Sequence, residues 1–171
     1  RKTNGAETFI PADLQTNLDA LFNTHASLAP GEANTHQGWF GAHMNVTGED
    51  TALMLRTALG RNIGMNVGLA GALDPFGYID TTTVEGSLEK TLRGANWTTK
   101  VSIDGAFLRY EQNDAHYFPP GAFGYFPEGA IADTKFDESR VRVQGRMEYT
   151  GLPRHRLTVG TGAENGGFRL K

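Results

Sequence analysis

The chain has 171 residues, of which 20% are charged and 39% hydrophobic, and a formal net charge of −3; it is the size of one domain. That balance excludes a strongly basic nucleic-acid binder, and the absence of cysteine excludes a disulfide framework and any thiolate metal or redox site. No uncharged stretch is long and apolar enough for a helix to cross a bilayer. The opening residues Arg1 to Gly5 are polar and read as no secretion signal, so a cytoplasmic chain, or a processed or excised piece of something larger, is expected. Residues 1–37 are expected to be an irregular segment. Within it, Leu14, Leu18, Leu21 and Phe22 fall at helical spacing after Pro11, predicting a short amphipathic helix near 11–22.

From Gly38 onward the periodicity becomes two. Strands are predicted near 39–47, 51–59, 81–92, 97–110, 139–150 and 156–164. The clearest is the fifth, where Val141, Val143, Gly145, Met147 and Tyr149 alternate with Arg140, Arg142, Gln144, Arg146 and Glu148. In the fourth, Trp97, Thr99, Val101, Ile103, Gly105 and Phe107 oppose Thr98, Lys100, Ser102, Asp104 and Ala106. Short glycine-containing turns at 48–50, 93–96 and 151–154 alternate with long connections at 60–80 and 111–138. The expected fold is all-β, an antiparallel up-and-down meander of about six strands. Short turns on one rim and long loops on the other suit a transmembrane barrel, with short periplasmic turns and long extracellular loops.

Alternation does not say which medium the apolar face meets, since a soluble sandwich alternates too. Gly86, Gly105, Gly145, Thr99 and Thr161 on that face would leave voids in a packed interior but cost little against acyl chains. Trp97 and Tyr149 flank the short turns, where an interfacial aromatic girdle belongs. Turning the arginine row outward would cost about 2–4 kcal/mol per residue near the midplane. Lys100, Asp104, Arg140, Arg142, Arg146, Arg156, Glu85 and Glu89 are therefore expected to line a lumen. There they pair across strands, or line a route for anionic substrates.

The 111–138 segment carries His116, Tyr117, Phe118, Tyr125 and Phe126, a candidate surface for an aromatic or metal-chelate ligand. The alternative is that these side chains pack the loop against its neighbours. The five histidines show no metal-ligand spacing, no serine sits in an elbow motif, and no catalytic, metal or cofactor site is expected. The chain is not read as an enzyme.

Several stretches carry a resemblance: Asp13 to Gly31 (DLQTNLDALFNTHASLAPG), Ala72 to Gly77 (ALDPFG), Tyr117 to Gly121 (YFPPG), Phe136 to Arg140 (FDESR), Tyr149 to Gly151, and His155 to Gly160 (HRLTVG). Together they resemble the barrel portion of bacterial TonB-dependent outer-membrane receptors. The resemblance implies a large barrel in the Gram-negative outer membrane, filled by a plug. It implies uptake of a scarce nutrient such as a siderophore–iron chelate, driven through an inner-membrane energy-coupling protein. The partners implied are outer-membrane lipid, the plug and remaining strands of the same receptor, and a small-molecule ligand, with no nucleic acid. The sequence contains no plug and too few strands for a closed barrel, so a fragment of such a receptor is expected. The other reading from the pattern is a soluble or secreted antiparallel β-domain that binds a ligand or partner through its long loops.

Overall fold

Alternating side chains drive six long strands to form. The computed structural model describes residues 2–3, 8–68 and 71–171; the rest of the segments expected over 1–37 and 60–80 lies outside the described residues. In chain order the elements are β1 (Lys2–Thr3), β2 (Phe9–Ile10), α1 (Leu14–Phe22), β3 (Gly31–Glu32), β4 (Gln37–Thr47), β5 (Thr51–Gly64), β6 (Tyr78–Arg93), β7 (Trp97–Phe118), β8 (Ala130–Leu152) and β9 (His155–Leu170). β4 to β9 pair antiparallel in sequence order, with β1 against the outer edge of β4, and β2 and β3 form a separate two-stranded ladder. The all-β antiparallel meander is thus observed.

The strands outrun their expected bounds. β7 spans 22 residues and β8 spans 23, roughly 70 Å of extended chain at about 3.3 Å per residue. The loops expected over 60–80 and 111–138 shrink to 65–77 and 119–129. Pairing continues through bulges after Gly60 and Gln112. At these bulges Asn62 and Asp114 adopt left-handed φ, 49° and 51°, which Asn and Asp tolerate better than most residues. Each bulged N–H donates to a carboxylate on the adjoining strand, Asn62 to Asp80 and Asp114 to Asp133, both at 2.8 Å.

The register also fixes a stagger. The row Thr47–Ala52–Glu89 adjoins the first short turn, whereas Arg93, four residues further along β6, adjoins the second. Glu148 pairs in the row beside the second turn, and Leu152, again four residues on, adjoins the third. Such a shift tilts strands relative to the line of turns, as in sheets that curl toward closure.

One face is apolar across all six strands. Met44, Leu55, Gly86, Gly105 and Val141 fall in one row, which ends on Asn165 of β9, and Val46, Leu53, Leu88, Ile103, Val143 and Ala163 in the next. Nothing among the described residues covers this face: Ile103 is 48% exposed, Val143 44% and Val159 64%. A Cβ added at Gly105 or Gly145 would meet open space. Trp97 and Tyr149 are direct cross-strand partners at its turn end. Lys90 and Asn165 are exceptions in the stripe: Asn165 sits on the edge strand β9 opposite Val141, and Lys90 lies near the turns, where its Nζ donates to the Thr51 hydroxyl at 3.0 Å, a reach open to a long flexible stem.

Above this belt the polarity of the two faces exchanges. On the apolar side the next row on β7, β8 and β9 is Arg109, Asp137 and Arg169, followed by Glu111 and Lys135. Arg109 and Lys171 both bond the Asp137 carboxylate, at 2.8 and 2.7 Å. On the opposite side at that height stand Leu108, Tyr110, Phe136, Phe168 and Leu170. Tyr110 stacks on Phe136 at 5.0 Å, and Phe136 meets Phe168 at 5.4 Å.

The buried core is small and sits at the long-loop end, not on either sheet face. It contains Ala26, Ala72, Leu73, Asp74, Ala115, Pro119 and Ala122, drawn from the segments following α1 and β5 and from the end of β7 and the loop after it. The helix begins at Leu14, three residues later than Pro11 suggested, because the Asp13 side chain takes the N-cap and accepts from Thr16 N at 2.7 Å. The expected apolar side of α1 does not seat inward. Leu14, Leu21 and Phe22 are at least half exposed, and the buried helical residue is Gln15, which donates to Asp19.

Candidate functional site

Two regions concentrate functional groups: a cap built from the long connections, and the polar sheet face beneath it. The cap is held by three carboxylates. Asp74, fully buried, accepts from the N–H groups of Phe76, Gly77 and His116 at 3.0, 3.0 and 2.8 Å. The space beside it is so tight that a Cβ at Gly77 would lie 2.5 Å from its Oδ2. Asp13 accepts from Leu73 N at 2.7 Å as well as from Thr16 and Ser27, tying the α1 segment to the 65–77 connection. Asp19 closes the loop after the helix through Thr24, Ala26 and Ser27.

Burial by itself would raise the Asp13 carboxyl, but hydrogen bonds from Leu73, Thr16 and Ser27 outweigh it and hold the group below its ordinary value. Asp19 behaves alike: the burial effect is overcome by Thr24, Ser27, Gln15 and Ala26. A carboxyl lowered in the folded state stabilises it above the ordinary Asp range, and that contribution is lost as pH falls through the lowered value. The cap should therefore be intact at neutral pH and loosen only in acid. The amide shifts of Thr16, Ser27 and Leu73 should titrate below the ordinary Asp range. Midpoints at the ordinary value would show that these hydrogen bonds do not form.

The candidate ligand residues separate in the cap. His116 puts its Nδ1 3.3 Å from Asp74 and its ring against Phe76 at 5.5 Å. Phe118 stacks on Phe126 at 5.1 Å and meets Phe123 and Tyr117 edge-on; Phe123 in turn meets Phe22 of the helix. His116, Phe118 and Phe126 thus take part in packing the cap. Tyr125, 85% exposed, and Tyr117, 44% exposed, present aromatic surface outward. The Phe22–Phe123 contact was hidden from sequence reasoning because helix and loop meet only in the tertiary fold.

The register places Lys100, Asp104, Arg140, Arg142, Arg146, Arg156, Glu85 and Glu89 on one face, opposite the apolar belt. Pairing across strands accounts for much of this row: Arg56–Glu85, Lys100–Glu89, Arg142–Glu164 and Arg156–Glu148 lie within 2.9 to 3.7 Å. These pairs are half exposed and individually worth about 0–1 kcal/mol. Glu164 completes a pair that the sequence row did not single out, because register across strands is invisible within one strand. The face forms a trough of about 660 Å³ lined by Lys100, Ser102, Arg142, Gln144, Arg146 and Thr158. Among the described residues, no group of three or more His, Asp or Glu side chains could hold a metal ion.

No family model, no curated protein and no solved structure matches the chain.

Proposed function

We propose that the chain is a membrane-spanning β-sheet of a TonB-dependent receptor in the Gram-negative outer membrane. It serves uptake of a scarce nutrient such as a siderophore–iron chelate and performs no catalysis. The observation that carries this reading is the uncovered apolar belt, bounded by Trp97 and Tyr149 at one rim and by the Arg109–Asp137–Arg169 row at the other. The eleven residues of β7 from Trp97 to Phe107 match the roughly 9–11 that a tilted strand needs to cross the hydrocarbon layer. Beyond the belt, strand extensions charged on the outside and aromatic on the inside suit a rim standing in water around packed loops.

Further support comes from the edges. β9 is exposed along its whole length, and β4 meets β1 only at Gln37 and Gly38 among the described residues. In lipid such edges must be paired, so further strands of the receptor complete the barrel and its plug faces the polar side. The resembling segments Asp13–Gly31 and Ala72–Gly77 also interlock, through the Asp13–Leu73 bond.

The test is the solvent the chain needs. It should fractionate with membranes and stay monodisperse only in detergent or with the rest of its barrel. A monodisperse, folded protein in plain buffer would return it to a soluble or secreted β-domain. Gly105→Val and Gly145→Val should fold undiminished, since both would project into acyl chains. A loss of about 1–3 kcal/mol, as overpacking produces in a filled core, would contradict the lipid-facing assignment. In the receptor, Tyr117→Ala with Tyr125→Ala should weaken ligand binding several-fold, each exposed aromatic anchor contributing about 1 kcal/mol or more. Unchanged affinity at normal surface expression would remove these residues from the ligand site.

A further inference from the structure

The polar trough contains more guanidinium than its carboxylates satisfy. Lys100 and Arg146 are direct cross-strand partners, and like charges so placed repel. Lys100 turns to Glu89, at 3.0 Å. Arg146 faces Gly160 on its other side and has no carboxylate within 4.0 Å among the described residues. Two positions along the same face from Gln144, Arg142 stands between Asp104 and Glu164. Its Nε lies 3.3 Å from the Glu164 carboxylate, yet it is shut from solvent and makes no hydrogen bond. A shielded N–H without an acceptor is a rare and costly state. Arg140 lies between Ala106 and Gly166 and also has no carboxylate partner among the described residues. Gly160 and Gly162 on β9 keep the space in front of these side chains open.

We infer that this trough is an oxyanion site, taking a phosphate or carboxylate group of a small solute between Arg142 and Arg146, with Lys100 beside it. Guanidinium forks suit planar or tetrahedral oxyanions, each N–H meeting an oxygen. Ser102, Gln144 and Thr158 supply neutral donors along the walls. An oxyanion there would meet the cationic groups that line the trough and relieve the Lys100–Arg146 repulsion. Glu89 and Glu164 also line the trough and keep it from being a bare cationic patch, so binding depends on the fork geometry around Arg146 and not on charge alone. The site stands on the trough's geometry. Within the uptake reading it would lie on the inner wall at membrane depth, below the cap.

The experiment is titration of the folded chain with inorganic pyrophosphate, in detergent if it needs it, by calorimetry and by the arginine Nε–H resonances. Saturable binding is expected, with the Arg142 and Arg146 signals moving and that of Arg56, paired with Glu85 elsewhere on the face, staying fixed. Arg146→Gln should weaken binding about tenfold or more, the scale of one charged hydrogen bond. Arg146→Lys should restore only part, and Arg56→Gln should change nothing. The resonances of the native chain decide the matter even if a variant misfolds. No saturable binding, or equal small shifts at every arginine, overturns the proposal. A chain soluble without detergent that still binds pyrophosphate through Arg142 and Arg146 would overturn the membrane reading and leave this site standing.

Discussion

Val143→Arg should abolish folding into a bilayer, whereas Gln144→Arg, one residue along the same strand, should be tolerated. Val143 lies mid-belt, between Ile103 on β7 and Ala163 on β9, while Gln144 points to the opposite face beside Ser102 and Gly162. An arginine facing lipid near the midplane costs about 2–4 kcal/mol, a large share of the roughly 5–15 kcal/mol that holds a domain folded. On the polar face the added charge meets water, which screens its repulsion from Arg142 and Arg146 in the same trough. Folding into lipid vesicles, followed by the electrophoretic shift of folded barrels and by urea midpoints, reads the difference. Equal loss in both variants, or none in Val143→Arg, would show that the belt does not face acyl chains.

Asp74→Ala should release the cap while leaving the sheet paired. Three amide donors converge on this fully buried carboxylate. Hydrogen bonds to a charged acceptor contribute about 1.5–3 kcal/mol each, and an abandoned buried donor carries its full desolvation cost. With non-additivity, a local loss of about 3–5 kcal/mol is expected. Hydrogen exchange should accelerate at Phe76, Gly77 and His116, and protection in β6 and in the belt portion of β7 should persist. Unchanged exchange at those three amides would remove Asp74 as the pin. Because Leu73 also binds Asp13, the 11–31 segment should loosen in the same variant, more than β9 does.

Much of this arrangement was legible in the residues. Alternation at Ser139 to Thr150 and at Trp97 to Phe107 places each side chain on its face without knowledge of neighbours, since a strand's period is two. What escaped was the length of β7 and β8. At Phe107 and Leu108 two apolar residues follow one another, and the alternation resumes in opposite phase, with Tyr110 on the polar face and Arg109 on the apolar one. A reading that requires constant phase finds no support past that point and stops the strand at residue 110, although backbone pairing continues to Phe118 and Ala130. The phase reversal is the available signal, and it marks where the surroundings of the strand change. The helix misled for a related reason: Leu14, Leu21 and Phe22 have helical spacing, but the cap seats Gln15 instead. Its local contacts are polar ones to Asp19 and, through Asp13, to Leu73.

The sequence by itself determined the six-strand antiparallel meander, the two-sided sheet and the positions of the three tight turns, because strand periodicity and turn chemistry are local properties of the chain. Only the tertiary structure decided which charges pair and which arginines are left without a carboxylate. It also decided that Asp13 and Asp74 gather the long connections into one cap, and that His116 and Phe118 pack inside it while Tyr125 stands out. Those outcomes depend on register and on contacts between segments up to sixty residues apart. Cross-strand geometry sets them, and no run of neighbouring residues encodes it.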